Sequence, residues 1–205
     1  MMVDYKKDFK NLYLPKTSPV IVEIPCMRFI KIAGRGDPNG DDFGVATAAL
    51  YSLSYAVKMS YKSNLVPSGY YEYTVFPLEG VWDLVDKTRS VSDKSNFAYE
   101  IMIRQPDFLD EDLLERFITE TRRKKPNRYL DTVEFCSITD GLSCQMLHLG
   151  SYDDEPASFK RMLQYCEDLG FNRSSLKHRE IYLSDPRKTE VAKLKTVLRF
   201  AVDKI

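Results

Sequence analysis

The chain has 205 residues, with 30 lysines and arginines against 30 aspartates and glutamates, so its formal net charge is zero. This balance argues against nucleic acid or an acidic membrane as a partner, because both are bound mainly through an excess of basic side chains. A chain of this length buries roughly 70% of its unfolded surface and needs no disulfide or metal to fold. The unusual feature of the composition is tyrosine, with 13 residues against a single tryptophan.

The cysteine spacing and the amino terminus predict a cytoplasmic protein that uses no metal and no organic cofactor. Cys26, Cys136, Cys144 and Cys166 are too far apart to form a CxxC pair, and the chain has only two histidines. We expect the four cysteines to be buried thiols. The first residues are charged where a signal peptide is apolar, and no apolar run is long enough to span a membrane.

The first half of the chain is predicted to contain strands on either side of a long helix. Residues 1–18 are polar and are expected to form a tether or a peripheral element. A strand-like run from Pro19 is interrupted at Pro25 and ends at the turn GRGDPNGDD. The elements predicted next are a helix capped by Asp41 or Asp42, strands at 70–85 and 97–106, and an amphipathic helix at 110–125.

The second half of the chain is predicted to repeat this order. Residues 132–138 and 143–152 have the pattern of two hairpin strands joined through Thr139, Asp140 and Gly141. A helix follows over 153–170, and the sequence HREIYLSDP predicts another strand. The tail KLKTVLRFAVDKI fits both helical and strand periodicity. The predicted apolar face of the helix at 153–170 consists of Phe159, Met162, Leu163 and Cys166.

The two halves together predict an α+β fold made of tandem β-α-β-β repeats related by a pseudo-twofold axis. In each half a strand enters an acidic, glycine-containing turn, and a helix and two strands follow. The seam between two such units is the natural place for a ligand pocket. The predicted organisation is an N-terminal extension at 1–18 and one domain at 19–205, made of a first repeat at 19–106, a connecting helix at 110–125 and a second repeat at 132–203.

Glu180 and Tyr182 form the sharpest candidate site. They lie two residues apart on a predicted strand, so a carboxylate and a phenol share one face. Inside a closed pocket, burial would raise the pKa of the carboxyl group towards the range of a general base, or leave an anion that faces a cationic ligand. The alternative is a surface glutamate on an edge strand, paired with Arg179 or Lys177.

Aromatic side chains form the second candidate feature. Tyr51 and Tyr55 lie one turn apart on the first long helix, and Tyr71 and Tyr73 share a predicted strand face upstream of Trp82. Rings with phenolic tips suit a planar, mostly apolar ligand that needs a few oriented hydrogen bonds. The alternative is that each ring is an ordinary core aromatic.

Several segments resemble the GyrI-like small-molecule-binding family in its stand-alone form. The matching segments are ALYSLSYAVKM, FPLEGVW, HLGSYDDEP, HREIYLSDPRKT and KLKTVLRF, and the resemblance runs from about Pro19 to Asp203. It implies SHS2-type units that form a curved antiparallel sheet with helices and a central ligand cavity. It also implies that the tail is mainly a strand after a short turn.

The resemblance also implies a function and assigns residues to it. Members of the family include effector domains of transcription regulators, a gyrase-inhibiting protein and hydrolases of cyclopropane-bearing alkylating natural products. The buried pocket glutamate of the family corresponds to Glu180, and its aromatic walls correspond to Tyr51, Tyr71, Trp82 and Tyr182, with Tyr55 and Tyr73 as further candidates. Residues 1–18 are too few for a helix-turn-helix, so a regulator role is not expected of this chain by itself.

The resulting functional hypothesis is a bacterial xenobiotic hydrolase that opens an electrophilic cyclopropane. Glu180 would be the general base for the attacking water, and Tyr71 or Tyr51 would donate a hydrogen bond to the oxygen that gains charge. One alternative is a binding or effector-sensing module that uses Glu180 as counter-ion for a cationic drug. Another is an inhibitor that acts through its exterior. The expected partner is a small molecule, and the expected assembly is a monomer or a weak homodimer.

Overall fold

The computed structural model describes residues 2–63, 66–90 and 93–205, which form two compact units. The first unit consists of Met1–Asp4, Met27–Leu78 and Leu84–Ile138. The second unit consists of Tyr5–Cys26, Glu79–Asp83 and Thr139–Ile205. Each unit therefore contains segments from distant parts of the sequence.

The described residues contain five α-helices and nine strands. The helices are α1 (Tyr5–Asp8), α2 (Lys10–Tyr13), α3 (Asp41–Lys58), α4 (Glu111–Lys124) and α5 (Glu155–Asp168). The strands are β1 (Val20–Ile24), β2 (Met27–Arg35), β3 (Leu78–Leu84), β4 (Phe97–Arg104), β5 (Glu134–Ile138), β6 (Gly141–Leu149), β7 (Phe171–Arg173), β8 (His178–Tyr182) and β9 (Lys195–Lys204).

The first unit packs α3 against an antiparallel sheet in which β2 pairs with β4 and β5. One face of α3 is apolar and fully buried, as its helical spacing predicts, and consists of Ala46, Ala49, Leu50, Leu53 and Val57. The N-cap of α3 is Gly40, so the prediction that Asp41 or Asp42 caps the helix is wrong. Both aspartates lie in the first turn instead, where a negative charge favours the helix dipole.

The strand predicted at 70–85 begins only at Leu78, so its first half is wrong. The backbone of residues 72–74 pairs with Val3 through two hydrogen bonds of 2.8 Å, from Val3 N to Glu72 O and from Thr74 N to Val3 O. This bridge is parallel and isolated. The alternating pattern at 70–77 therefore reflects aromatic packing within an irregular segment.

The second unit contains an antiparallel sheet in the order β1-β6-β9-β8-β3, with β7 also paired to β9. Helix α5 packs on one face of this sheet, where Met162 and Cys166 join a buried cluster with Cys144, Met146 and Leu198. Leu163, predicted on the same helix face, is exposed.

The predicted hairpin of β5 and β6 is wrong. Strand β5 pairs with β2, whereas β6 pairs with β1 and β9. The connection through Asp140 and Gly141, whose φ is 64°, therefore passes from one unit to the other. Strand β1 likewise belongs to the second unit although it comes from the first half of the sequence.

From Tyr5 onward the amino-terminal segment is part of the second unit and is not a tether. Helices α1 and α2 bury Tyr5, Leu12 and Tyr13, although most of the segment is polar. The rings of Tyr5 and Tyr13 meet edge to face with centroids 5.4 Å apart. The hydroxyl of Tyr13 also donates a hydrogen bond to Glu79 on β3, at 3.2 Å.

The α+β fold class is confirmed, and the repeat is visible in the element order. The order β2-α3-β3-β4 recurs as β6-α5-β8-β9, with the short β7 inserted after α5. The tail forms β9 after a short 3-10 turn, as the family resemblance implies. Among the described residues, no helix combines the length and the hydropathy needed to cross a membrane.

The cysteines only partly follow the prediction of buried thiols. Cys144 and Cys166 are buried in the second unit. Cys136 is half-buried. Cys26, which lies between β1 and β2, is exposed, so the prediction that it is buried is wrong.

Candidate active site

The pairing of β3 with β8 places the polar side chains of the candidate site on one face. Gly80 pairs with Glu180, and Trp82 pairs with His178. Residues that are directly opposite each other in an antiparallel pair lie on the same side of the sheet, and residues two apart on one strand do as well. Tyr182 therefore shares this face with Glu180.

Glu180 is a buried carboxylate with two side-chain donors. Its side chain is 11% exposed. Tyr182 donates its hydroxyl proton to Oε2 of Glu180 at 2.9 Å, and His178 donates from Nε2 to Oε1 at 3.0 Å. The alternative of a surface glutamate on an edge strand is therefore wrong, because β8 lies between β9 and β3.

Trp82 and Gly80 complete the support of this carboxylate. Trp82 donates from Nε1 to the hydroxyl oxygen of Tyr182 at 2.8 Å, so a chain of hydrogen bonds leads from the indole to Glu180. A Cβ atom on Gly80 would lie 2.8 Å from Trp82 Nε1 and 3.0 Å from the Tyr182 hydroxyl. Glycine is therefore required at position 80 if the hydrogen bond between Trp82 and Tyr182 is to keep its geometry.

The structure adds Glu155, which the sequence analysis missed. Glu155 is the first residue of α5 and is only 6% exposed. Burial, followed by the charge of the nearby Glu180, raises the pKa of Glu155 to about 10. At neutral pH the carboxyl group of Glu155 is therefore protonated.

One oxygen of Glu155 has no hydrogen-bond partner among the residues that the structure describes. The Oε1 atom is buried and accepts no hydrogen bond from the described residues. An unsatisfied buried oxygen is costly in an ordinary core and is typical of a site that binds a further donor. Helical spacing could have found this residue, because Glu155, Ser158, Met162 and Cys166 all lie on the buried face of α5.

His148 holds the start of α5 in place. Its Nδ1 lies 2.9 Å from Ser158 Oγ, and its Nε2 lies 2.9 Å from the carbonyl oxygen of Ser151. Because a carbonyl oxygen only accepts, Nε2 carries a proton. The imidazole therefore connects residues on both sides of Glu155 and fixes the turn that presents this carboxyl group.

Tyr152 is a second residue that the sequence analysis missed. Its ring meets the ring of Tyr182 edge to face, with centroids 6.0 Å apart. Burial, followed by the charge of Glu180, raises the pKa of Tyr152 to about 12. The phenol therefore stays protonated at neutral pH and can act as a hydrogen-bond donor.

The four other predicted tyrosines belong to the first unit. Tyr51 is half-buried and Tyr55 is exposed, and both lie on α3 with ring centroids 6.5 Å apart. The hydroxyl of Tyr71 accepts a hydrogen bond from Asp107 N at 3.2 Å. Tyr73 is buried, and its hydroxyl donates to Ser54 O at 3.4 Å. Their contact with a ligand stays a prediction.

The opposite face of the same strands carries a charged network. Arg179 Nη1 lies 3.0 Å from Glu79 Oε2, and Arg179 Nε and Nη2 each donate to Asp140 at 2.8 Å. The Arg199 side chain, also buried, donates to Gln145 and to the carbonyl oxygen of Leu12. These contacts hold β3 and β8 from the sheet face opposite the candidate site, because Glu79 and Arg179 are the sequence neighbours of Gly80 and Glu180.

The arrangement can supply both a base and an acid. His178 and Tyr182 fix the two oxygens of the Glu180 carboxylate, and the protonated carboxyl group of Glu155 lies near enough to respond to its charge. Such a pair can accept a proton at one oxygen and deliver one from another. Among the described residues, no three His, Cys, Asp or Glu side chains are arranged to hold a metal ion.

Comparisons with known proteins agree with this fold. A hydrolase from Listeria innocua with a known crystal structure is 35% identical in sequence, and its structure matches with a TM-score of 0.90. The match covers 98% of this chain and 100% of that chain. An uncharacterised conserved protein from Listeria innocua is 36% identical, with a TM-score of 0.92 and coverage of 98% and 100%. No functionally curated protein matches the sequence.

More distant structures share the fold alone. The C-terminal domain of EcmrR is 16% identical with a TM-score of 0.55, and the match covers 92% of this chain and 98% of that domain. The sequence profile of the GyrI-like small molecule binding domain matches residues 17–203, nearly the whole chain. The protein therefore belongs to the GyrI-like small molecule binding domain family.

Proposed function

We propose that this protein is a hydrolase that binds a planar aromatic small molecule and opens an electrophilic cyclopropane in it. The observation that carries the proposal is the buried Glu180 carboxylate, whose two oxygens are held by Tyr182 and His178. The similarity to a protein described as a hydrolase supports the reaction class. The cyclopropane substrate rests on the resemblance of the sequence motifs.

Glu180 would act as the general base. It takes one proton from a water molecule whose oxygen forms a bond to the strained ring carbon. The ring bond breaks, and its electron pair moves through the conjugated ring system to a carbonyl oxygen. That oxygen takes up a proton from solvent, and Glu180 returns its own proton to solvent. Oε1 of Glu155 can accept the second hydrogen of the water and so orient it, because this oxygen has no other partner among the described residues.

A tyrosine would stabilise the oxygen that gains charge. Tyr71 and Tyr51 are the donors proposed from the sequence, and Tyr152 joins them because its phenol stays protonated beside Tyr182. Tyr182 is less suited to this role, since its hydroxyl group already donates a hydrogen bond to Glu180. Trp82 and the remaining rings would stack on the flat ligand.

The test is turnover of a cyclopropane-bearing alkylator, followed by mass spectrometry of the ring-opened product. The wild type should form product in excess of the protein, and Glu180→Gln should lower the rate by about 100-fold or more. Glu167→Gln is the matched control, because Glu167 is exposed on the same helix as Glu155. Stoichiometric binding without product would contradict the hydrolase.

The second candidate is a binding module for lipophilic cations. Two carboxyl groups, those of Glu155 and Glu180, lie near the aromatic ring of Tyr152. This combination favours the binding of a cation, because a buried carboxylate and a ring face both attract one. A cationic aromatic dye should then raise the melting temperature of the wild type more than that of Glu180→Gln. An equal shift in both proteins would contradict this role.

A further inference from the structure

Glu155 lies in the middle of a row of side chains that connects the start of α5 to the sheet of the second unit. Tyr152 belongs to the 3-10 turn that leads into α5, and residues three apart on such a segment point to the same side. The ring of Tyr152 contacts the ring of Tyr182, with centroids 6.0 Å apart. Ser158 Oγ lies 2.9 Å from His148 Nδ1. Glu155 therefore lies between these two contacts.

The strand pairing shows which part of the sheet Glu155 faces. Thr196 on β9 is directly opposite both His148 on β6 and Tyr182 on β8. Directly opposite residues share one face of an antiparallel sheet, so these three side chains form a row across the face that α5 covers. Glu155 faces the middle of this row, and Glu180 lies on the same face, two residues from Tyr182.

The side chain of Glu155 brings an unsatisfied acceptor to this place. Glu155 is 6% exposed, and its buried Oε1 atom has no hydrogen-bond partner among the residues that the structure describes. His148 uses both of its ring nitrogens in other hydrogen bonds. The hydroxyl of Tyr182 donates to Glu180. These two donors of the row are therefore committed elsewhere.

A buried oxygen without a donor favours a ligand that brings a donor with it. Such an oxygen costs free energy in the protein alone, and a hydrogen bond from a ligand removes that cost. The protonated carboxyl group of Glu155 carries no charge at neutral pH, so it suits a neutral N–H or O–H group. Trp82, Tyr152 and Tyr182 supply aromatic surroundings for the ring that carries this group.

We propose that Glu155 selects planar aromatic ligands that carry a neutral N–H or O–H donor at the edge of the ring system. The inference rests on the proposed function in one respect, which is that this site binds a planar aromatic molecule. A ligand of the same shape whose donor is methylated cannot satisfy Oε1 of Glu155, so it binds more weakly.

The test compares 2-phenylindole with 1-methyl-2-phenylindole, which differ only in the ring N–H. Titration of the full chain into each probe at pH 7, followed by the fluorescence of the probe, gives the two dissociation constants. The wild type should bind 2-phenylindole about 10-fold more tightly than the methylated probe. Equal affinities, tighter binding of the methylated probe, or no binding of 2-phenylindole would each overturn the proposal.

Substitutions at Glu155 assign the preference to this side chain. Glu155→Gln keeps a side-chain carbonyl oxygen and should keep the preference, whereas Glu155→Met has a similar length without an acceptor and should lose about 10-fold of it. Glu167→Met is the matched control, because Glu167 is exposed on the same helix. Melting temperatures establish that the variants are folded. A preference that persists in folded Glu155→Met would overturn the proposal.

A second measurement needs no apolar substitution at Glu155. In the wild type with ¹³C-labelled glutamate carboxyl groups, the Glu155 signal is assigned by comparison with Glu155→Gln. It should move when 2-phenylindole binds, and it should move less at equal saturation with the methylated probe. A Glu155 signal that stays in place at saturation with 2-phenylindole would overturn the proposal.

The cyclopropane assay separates this inference from the proposed function. Turnover of the cyclopropane-bearing alkylator by a wild type that shows no preference for the N–H probe would overturn only the selection by Glu155. A preference for the N–H probe without turnover would overturn only the hydrolase.

Discussion

At the scale of single residues, the site depends on a few side chains whose positions are tightly constrained. The sequence pattern correctly placed Glu180 and Tyr182 on one strand face, because alternation along a strand is a local property. It missed Glu155 and Tyr152, which follow β6 in sequence and come near Glu180 and Tyr182 only through the tertiary fold. The acidic run before α5 has the pattern of an ordinary helix start, so its buried member was not recognised.

Gly80 offers a direct test of the support around Glu180. Gly80→Ala should cost about 1–3 kcal/mol in the free energy of unfolding, because its Cβ would meet the bond between Trp82 and Tyr182. It should also change the emission of Trp82, the single tryptophan of the chain. Chemical unfolding followed by fluorescence measures both effects.

Gly44 is the matched control for this substitution. A Cβ there meets nothing within 4 Å, and the residue lies inside α3. Gly44→Ala should therefore stabilise the protein by about 0.5–1 kcal/mol. Equal effects of the two substitutions would contradict the account of Gly80.

The pKa of Glu155 predicts how stability varies with pH. Because its pKa rises from 4.5 to about 10 on folding, the folded chain holds a proton that the unfolded chain has lost. Its contribution to stability is therefore complete below pH 4.5 and is lost progressively as the pH rises towards 10. The slope is at most about 1.4 kcal/mol per pH unit for one proton.

Glu155→Gln should remove this contribution. Its stability relative to the wild type should increase from pH 5 to pH 9 in urea unfolding experiments, whereas Glu167→Gln should show no such trend. A constant difference across this range between Glu155→Gln and the wild type would contradict the raised pKa.

At the scale of secondary-structure elements, strands β3 and β8 carry the site on one face and a charged network on the other. Arg179→Met should destabilise the protein by about 3–5 kcal/mol, because it leaves Glu79 buried without its ion pair. Lys193→Met removes an exposed pair with Glu190 and should change stability by about 0–1 kcal/mol. Thermal unfolding of both variants tests this contrast, and similar losses would contradict it.

The same scale shows where local sequence patterns succeed and fail. Helices α3 and α4 follow their predictions closely, because an amphipathic stripe and end charges act within each helix. The strand predicted from Tyr70 and the hairpin of β5 and β6 failed for another reason. Their pairing partners, Val3 and β2, lie far away in sequence, and a local pattern contains no information about them.

At the scale of the whole molecule, the two sequence halves exchange strands between the two compact units. Strand β1 from the first half completes the second unit, and β5 from the second half completes the first. The repeated element order was predictable from the sequence, but this exchange was not, since it depends on pairing between distant segments.

Division of the chain between Pro126 and Asn127 should therefore prevent folding. Each fragment lacks strands that its unit requires, so neither should show a cooperative thermal transition by circular dichroism when it is expressed alone. Cooperative unfolding of either fragment in isolation would contradict this interdependence.

The proposed acid–base chemistry depends most on a protonated Glu155 carboxyl group at neutral pH. The most direct measurement is an NMR titration of ¹³C-labelled glutamate carboxyl groups, with the signals assigned by comparison with Glu155→Gln and Glu180→Gln. The account predicts that the signal absent from Glu155→Gln is protonated at pH 7 in the wild type and titrates at lower pH in Glu180→Gln. An ionised Glu155 carboxylate at pH 7 in the wild type would contradict it.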